Sequence, residues 1–125
     1  MRLKFEVIPY VLKFTFTAGT SRGSFTEKET WLIKAYDPSK PDQVAWGEAG
    51  PLKGLSEDYS PDFQSKLTSF FSQVEGMEIP DNQVDILEFA SEVIPADFPS
   101  IRFGLETVLL DYLKGGQFKI FDNPF

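Results

Sequence analysis

Hydrophobic and polar residues alternate along the first part of the chain with the two-residue period of β-strands. Three runs show it, Lys4–Phe16, Phe25–Tyr36 and Val44–Glu48, and turn-forming residues rich in Pro, Asp and Ser precede the third. The order of runs and turns predicts an antiparallel meander of three strands, with Trp31, Ile33 and Ala35 on one face of the second strand. Pro9 cannot donate a ladder hydrogen bond, so we expect an edge position or a bulge in the first strand.

The second half of the chain changes to the period of α-helices. Ser60 before Pro61 predicts the N-cap of a first helix that ends at Gly76, with an apolar face made of Phe63, Leu67, Phe70, Phe71 and Val74. Asp81 is the expected N-cap of a second helix, which Pro95 stops. The expected apolar stripe of that helix consists of Val84, Leu87, Ala90 and Ile94.

A third helix is predicted from Ser100 to Lys114, ended by two glycines. Apolar residues wrap most of its circumference, and the polar-capable positions are Arg102, Glu106, Thr107, Asp111 and Tyr112. A helix this apolar is normally buried on nearly all sides. Strands followed by helices predict an α+β fold, a three-stranded antiparallel meander followed by three helices.

Composition and charge exclude several classes of function. The formal net charge is −7, so nucleic acid and anionic membrane surfaces are unlikely partners. The absence of His and Cys removes the usual zinc sites, thiolate nucleophiles, Ser-His-Asp triads and disulfides. Charges interrupt the opening residues, and we expect no signal peptide, no membrane span and a cytoplasmic protein.

Three tracts resemble parts of the enolase superfamily. Thr20–Lys28 is similar to a loop and strand start of o-succinylbenzoate synthases, and Trp46–Leu52 to the end of the third capping strand in many superfamily members. Pro99–Asp111 resembles the helix that leads into the catalytic barrel. The chain is therefore similar to the N-terminal capping domain of an o-succinylbenzoate synthase, with residues 1–114 as the domain and 115–125 as the start of a linker toward the barrel.

The resemblance implies a Mg²⁺-dependent dehydratase of menaquinone biosynthesis, a lyase in which a Lys abstracts a proton and Mg²⁺ stabilises an enediolate. Those groups belong to a (β/α)₈ barrel of roughly 250 residues, which 125 residues cannot contain. We therefore expect a truncated fragment, inactive alone, with no catalytic residue, cofactor or metal site of its own. The alternatives are the capping domain of a muconate cycloisomerase, dipeptide epimerase or acylamino-acid racemase, or a stand-alone module that binds a small ligand or peptide.

The resemblance also implies that two loops, residues 17–23 and 49–56, close the substrate pocket. The substrate-binding positions carried over are Phe16, Ser21, Arg22, Gly23 and Leu52. The guanidinium of Arg22 can bind a substrate carboxylate in a bidentate manner and Ser21 can donate to the same anion, while Phe16 and Leu52 would form an apolar wall. A solvated loop arginine and a core phenylalanine are the competing interpretations of Arg22 and Phe16.

Three further expectations concern Glu48, a charged pair on the third helix and the outer surface of that helix. For Glu48 we expect a structural role, with a hydrogen bond to backbone or to a neighbouring arginine. Arg102 and Glu106 are four residues apart on a helix and are expected to pair. Without a barrel, the apolar helix at Ser100–Leu113 should leave one face uncovered, and we expect a homodimer through that face.

Overall fold

The computed structural model describes residues 1–17, 23–51 and 59–116, with the backbone alone for 12–17 and 23–28. The elements of these ranges are, in chain order, β1 (Lys4–Thr17), β2 (Gly23–Tyr36), β3 (Val44–Ala49), α1 (Phe63–Glu75), α2 (Gln83–Val93) and α3 (Pro99–Leu113). The predicted α+β order of three strands and three helices is confirmed.

The strands form an antiparallel sheet in the order β1-β2-β3, with β2 in the centre. The pairing of β1 with β2 is continuous from Lys4 opposite Tyr36 to Thr17 opposite Gly23. Pro9 lies opposite Trp31 without an inserted residue, so the edge position is the correct alternative and the bulge is wrong. An edge strand tolerates proline because half of its backbone groups have no ladder partner.

The core lies between one face of the sheet and the helices. Trp31, Ile33 and Ala35, predicted to share a face, are all buried. The ring of Trp31 packs on Phe63 with centroids 4.6 Å apart, so α1 covers the sheet at this point. The predicted apolar face of α1 is confirmed, because Phe63, Leu67, Phe71 and Val74 are buried and Phe70 is partly buried.

The start of α1 differs from the prediction. Helical geometry begins at Phe63, two residues later than expected, and Ser60–Asp62 form a preceding turn. The Ser60 hydroxyl donates to the Asp62 carboxylate at 2.6 Å instead of capping a helical N–H. That hydrogen bond lowers the pKa of Asp62, with a smaller contribution from the charge of Lys66.

The N-cap of α2 was predicted wrongly, and its buried face was predicted correctly only in part. Asn82, not Asp81, is the cap, and its side-chain oxygen accepts the Asp85 N–H at 3.0 Å. Ala90 and Ile94 of the predicted stripe are buried, together with Ile86. Val84 and Leu87 are 74% and 40% exposed. Because a helix repeats every 3.6 residues, the face chosen from Val84 and Leu87 was rotated away from the true one.

The correction at Asn82 can be tested by a pair of substitutions. Asn82→Ala should lower the free energy of unfolding by about 1 kcal/mol, because the first turn of α2 loses its side-chain acceptor. Asp81→Ala, one residue earlier and exposed, should change it by less than about 0.5 kcal/mol. Urea denaturation measures both, and a larger loss for Asp81→Ala would restore the original assignment.

The third helix is covered by its own domain more fully than predicted. Leu109 has 0% exposure, and the three polar-capable residues Thr107, Asp111 and Tyr112 are also buried. Phe103 is 56% exposed. The expectation of a large uncovered face is therefore wrong. What remains is a narrow outward stripe of Phe103, Glu106, Leu110 and Leu113. The homodimer stays a prediction, and Phe103 is the exposed residue at which a substitution would test it.

Arg102 also has different partners from those expected. Its guanidinium donates to the carbonyl of Ile94 through Nε at 3.1 Å and Nη2 at 2.6 Å. Ile94 follows the last residue of α2, where carbonyl groups have no helical partner and carry a partial negative charge. Arg102 thus ties α3 to the end of α2 instead of forming the predicted ion pair with Glu106.

Candidate functional site

A two-stranded extension of the sheet carries the first of the two predicted loops. Beyond the pair Pro9 and Trp31, β1 and β2 continue alone for eight more pairs, from Tyr10 and Thr30 to Thr17 and Gly23. At about 3.4 Å per residue this ladder projects roughly 27 Å from the three-stranded part. The last described residues of this ladder, Thr17 and Gly23, therefore lie well away from the three-stranded part.

The second predicted loop begins at the base of the same extension. The last residue of β3, Ala49, lies opposite Trp31, and only Gly50 and the buried Pro51 separate it from residues 52–58. Because β3 is antiparallel to β2, its carboxyl end points in the direction of the β1–β2 extension. Both segments expected to cover a substrate thus leave the sheet at one end.

The structure describes the backbone of two of the five predicted substrate-binding residues. Phe16 lies in β1 opposite Ser24, and Gly23 opens β2 opposite Thr17, both near the far end of the ladder. Only their backbone is described, so the choice between pocket wall and core packing for Phe16 stays a prediction. Ser21, Arg22 and Leu52 lie outside the described residues.

A close contact between two glycines fixes β3 against α3 beneath this end. A Cβ added to Gly47 would lie 2.8 Å from Val108 Cβ and 2.9 Å from both Gly104 O and Val108 N. A Cβ added to Gly104 would lie 2.7 Å from Ile33 Cδ1 and 3.3 Å from Ala49 Cβ. The tract at Trp46–Leu52 therefore meets the tract at Pro99–Asp111, with backbone nearly touching backbone.

On the opposite face of the sheet, Glu48 holds the strand end through a side-chain hydrogen bond. The hydroxyl of Thr30 is 2.8 Å from Glu48 Oε1 and 3.3 Å from the carbonyl of Ala49. Thr30 is 1% exposed and Glu48 is half-buried. A structural environment for Glu48 agrees with the prediction, but its partner is a threonine hydroxyl rather than backbone or arginine.

A buried carboxylate accepts a hydrogen bond from a backbone N–H on the outer edge of β3. Asp111 on α3 has 0% exposure, and its Oδ2 accepts the backbone N–H of Trp46 at 2.9 Å. The carbonyl of Asp111 accepts from Gly116 N at 2.8 Å. Gly116 has φ of +82° and packs directly against Val44, which begins β3. Asp111 thereby joins the edge strand, the last helix and the residues that follow it.

Two groups on α3 have a raised pKa. Burial raises the pKa of the Glu106 carboxyl, an effect that the positive charge of Arg102 opposes. Burial also raises the pKa of the Tyr112 hydroxyl, and the negative charge of Asp37 adds to the effect. Glu106 stands in the outward stripe with Phe103 and Leu110, so an apolar neighbourhood already surrounds this carboxylate.

The described ranges contain no cluster of three His, Cys, Asp or Glu side chains able to hold a metal ion. The residues present there therefore do not fit the Mg²⁺ that the resemblance implies for a complete enzyme. Within the same ranges no helix has the length and apolarity to cross a membrane.

A small cavity of about 130 Å³ lies between β1 and α1, lined by Phe5, Val7, Thr68, Phe71, Ser72 and Glu75.

Comparison with known proteins decides which resemblance holds. The curated o-succinylbenzoate synthase of Desulfotalea psychrophila (strain LSv54) is 31% identical over 137 aligned positions, which cover 91% of this chain and 36% of the synthase. This chain is similar to the N-terminal part of o-succinylbenzoate synthase. The predicted recognition is confirmed, and the chain spans about a third of the length of the synthase that it matches.

The fold agrees with the same assignment. The crystal structure of MenC from Desulfotalea psychrophila LSv54 matches with a TM-score of 0.55 at 22% identity, over 91% of this chain and 36% of MenC. At that identity the likeness establishes the fold, which is the α+β arrangement described above. No family model matches the chain. The resemblance to o-succinylbenzoate synthase thus rests on sequence and fold together.

Proposed function

We propose that this chain is the capping domain of an o-succinylbenzoate synthase, with residues 1–114 as the cap and 115–125 leading toward a (β/α)₈ barrel. The observation that carries the proposal is the 31% identity to such a synthase across 91% of the chain. In this proposal the complete enzyme performs a Mg²⁺-dependent dehydration in menaquinone biosynthesis, and the cap closes the substrate pocket over a small carboxylate.

The sheet geometry supports a covering role. Residues 18–22 follow the far end of the β1–β2 ladder, and residues 52–58 follow β3 near its base, on the same side of the three-stranded part. Segments that close over a substrate exclude water and strengthen electrostatic interactions with a charged intermediate. Arg22 would hold the substrate carboxylate with help from Ser21, and Phe16, Gly23 and Leu52 would complete the wall.

The outward stripe of α3 supports contact with a barrel. Phe103 is exposed, and Leu110 and Leu113 are only partly covered by the chain's own core. An apolar stripe on an otherwise buried helix is suited to packing against a second domain. We propose that the barrel covers this stripe, including the half-buried carboxylate of Glu106.

The coding sequence downstream of Phe125 provides the first test. It should encode barrel strands with a Lys-x-Lys pair, the proton-transferring residues that the resemblance implies. A protein carrying that barrel should dehydrate the succinyl-hydroxycyclohexadiene carboxylate. Muconate lactones, dipeptides and N-acylamino acids are the comparison substrates, and preferred turnover of one of them would move the cap to another superfamily member.

Isolation of the 125-residue chain gives the complementary result. It should show no dehydration with substrate and Mg²⁺, because the base and metal ligands of the proposal belong to the barrel. A heat-treated sample sets the background. Turnover above that background by the isolated chain would overturn the capping role.

Arg22→Ala tests the role of the first segment in a protein that also contains the barrel. We expect kcat/KM to fall by a factor that corresponds to about 1–3 kcal/mol, since a charged hydrogen bond to substrate is lost. Arg22→Lys should recover part of the loss, because it restores charge without the bidentate fork. Arg2→Ala, which is exposed beside Glu78, is the matched control, and an equal fall there would deny Arg22 a substrate role.

A stand-alone binding module is the second candidate, and one observation favours it. Most residues of α3 are buried within the chain's own fold, so a second domain is not needed to cover the greater part of this helix. The cavity at Phe5, Val7 and Glu75 would then be the first place to search for a ligand. It lies toward the opposite end of the sheet, so Phe71→Trp would block it without touching the predicted loops.

A further inference from the structure

We infer that Thr30 and Glu48 are positioning residues that fix where the chain leaves the sheet toward residues 52–58. The inference deepens the proposed function, because that segment contains the predicted substrate-facing Leu52. Its structural part stands on the contacts of Thr30, Glu48 and Ala49 alone.

The first step is the place of these residues in the sheet. Trp31 and Ala49 form the last pair between β2 and β3, so Thr30 is the first residue of β2 beyond the end of β3. Glu48 lies opposite Leu32, two residues from Thr30, and side chains two apart on a strand share a face. Thr30 and Glu48 are therefore diagonal neighbours at the point where backbone pairing stops.

The second step is the hydrogen bond itself. A threonine hydroxyl has one proton, and here it is directed to Glu48 Oε1 at 2.8 Å, with the carbonyl of Ala49 at 3.3 Å as a weaker acceptor. Because Thr30 is buried, water competes little for this proton. The side-chain hydrogen bond thus connects β2 to β3 one residue beyond their last backbone pair.

The third step is the support on the other face of β3. Gly104 of α3 lies so close that an added Cβ would be 3.4 Å from the carbonyl oxygen of Glu48 and 3.3 Å from Ala49 Cβ. The strand end is held between the helix on one face and Thr30 on the other. Pro51, buried and with its φ fixed by the ring, follows two residues after Ala49. Loss of the Thr30 bond would free one side of this arrangement.

Limited proteolysis of the purified chain tests the inference without substrate. Thr30→Val and Glu48→Ala remove the hydrogen bond, and both should raise the rate of trypsin cleavage after Lys53 at least about fivefold. Thr30→Ser and Glu48→Gln keep a hydroxyl donor or an oxygen acceptor and should stay within about twofold of the original chain. Cleavage after the exposed Lys114, which follows α3, is the internal reference for trypsin activity and for loosening elsewhere in the chain.

The outcomes separate this inference from the proposed function. A rise after Lys53 alone, restricted to the two disruptive variants, supports the positioning role whatever reaction the complete protein performs. Unchanged cleavage in Thr30→Val and Glu48→Ala, an equal rise after Lys114, or equal rises in Glu48→Gln and Glu48→Ala would overturn it.

Discussion

Gly47→Ala should lower the free energy of unfolding by about 3 kcal/mol, because the added methyl group has no room between β3 and α3. The new Cβ would lie 2.8 Å from Val108 Cβ and 2.9 Å from two backbone atoms of α3. Backbone atoms cannot move aside by a change of rotamer, so the whole helix has to shift away from β3. Urea denaturation followed by circular dichroism measures the loss.

Two other glycines make this prediction specific. Gly104→Ala meets the flexible end of Ile33 first and gains up to about 1 kcal/mol of helix propensity, so its net loss should be clearly smaller. Gly76→Ala meets only Gln73 O at 3.6 Å, an ordinary contact at a negative φ, and should be nearly neutral. A neutral Gly47→Ala, or the reverse ranking of Gly47 and Gly104, would mean that β3 and α3 are not packed this closely.

Asp111→Ala should cost about 3 kcal/mol of unfolding free energy, for a different reason. The carboxylate is fully buried and accepts the N–H of Trp46 on the outer edge of β3. Removing the acceptor takes a charged hydrogen bond from a place that water does not reach, and it also leaves a cavity. Tryptophan fluorescence, to which Trp31 and Trp46 both contribute, should therefore show a lower urea midpoint.

Matched variants distinguish this loss from a general charge effect. Asp111→Asn keeps an oxygen acceptor and should lose less than Asp111→Ala. Asp42→Ala changes the net charge equally at an exposed turn position and should stay within about 0.5 kcal/mol of the original chain. If Asp42→Ala cost as much as Asp111→Ala, overall charge rather than the bond to Trp46 would explain the result.

The period of the sequence was sufficient to predict the strands, the helices and most of their inner faces. Trp31, Ile33 and Ala35 were assigned correctly because two-residue alternation places them on one face of the sheet. The cap of α2 was missed because Asp81 and Asn82 are both good N-cap residues. The local sequence pattern alone does not show which of these two adjacent residues caps the helix. The face of α2 was missed in part because Val84 and Leu87 also stand at helical spacing from Ala90, whereas the buried face contains Ile86 and Ala90.

The residues that organise the loop end were not predictable from period alone. Asp111 interrupts an apolar helical run, a signal that could have marked it as buried and hydrogen-bonded, although its partner Trp46 is 65 residues away. Gly47 and Gly104 belong to separate tracts whose contact depends on the approach of β3 to α3. Thr30 lies in an ordinary strand pattern and becomes special only because β3 stops beside it.

The contact of Gly47 with Val108 also has a consequence for synthesis on the ribosome. These partners are 61 residues apart in a chain that is made from its N-terminus, so β3 emerges long before the helix that covers it. Contacts between distant parts of a chain are slow to form and leave apolar surface exposed meanwhile. The inner face of β3 therefore stays uncovered until α3 has been synthesised. During that interval we expect chaperones that bind exposed apolar strands to bind this nascent chain.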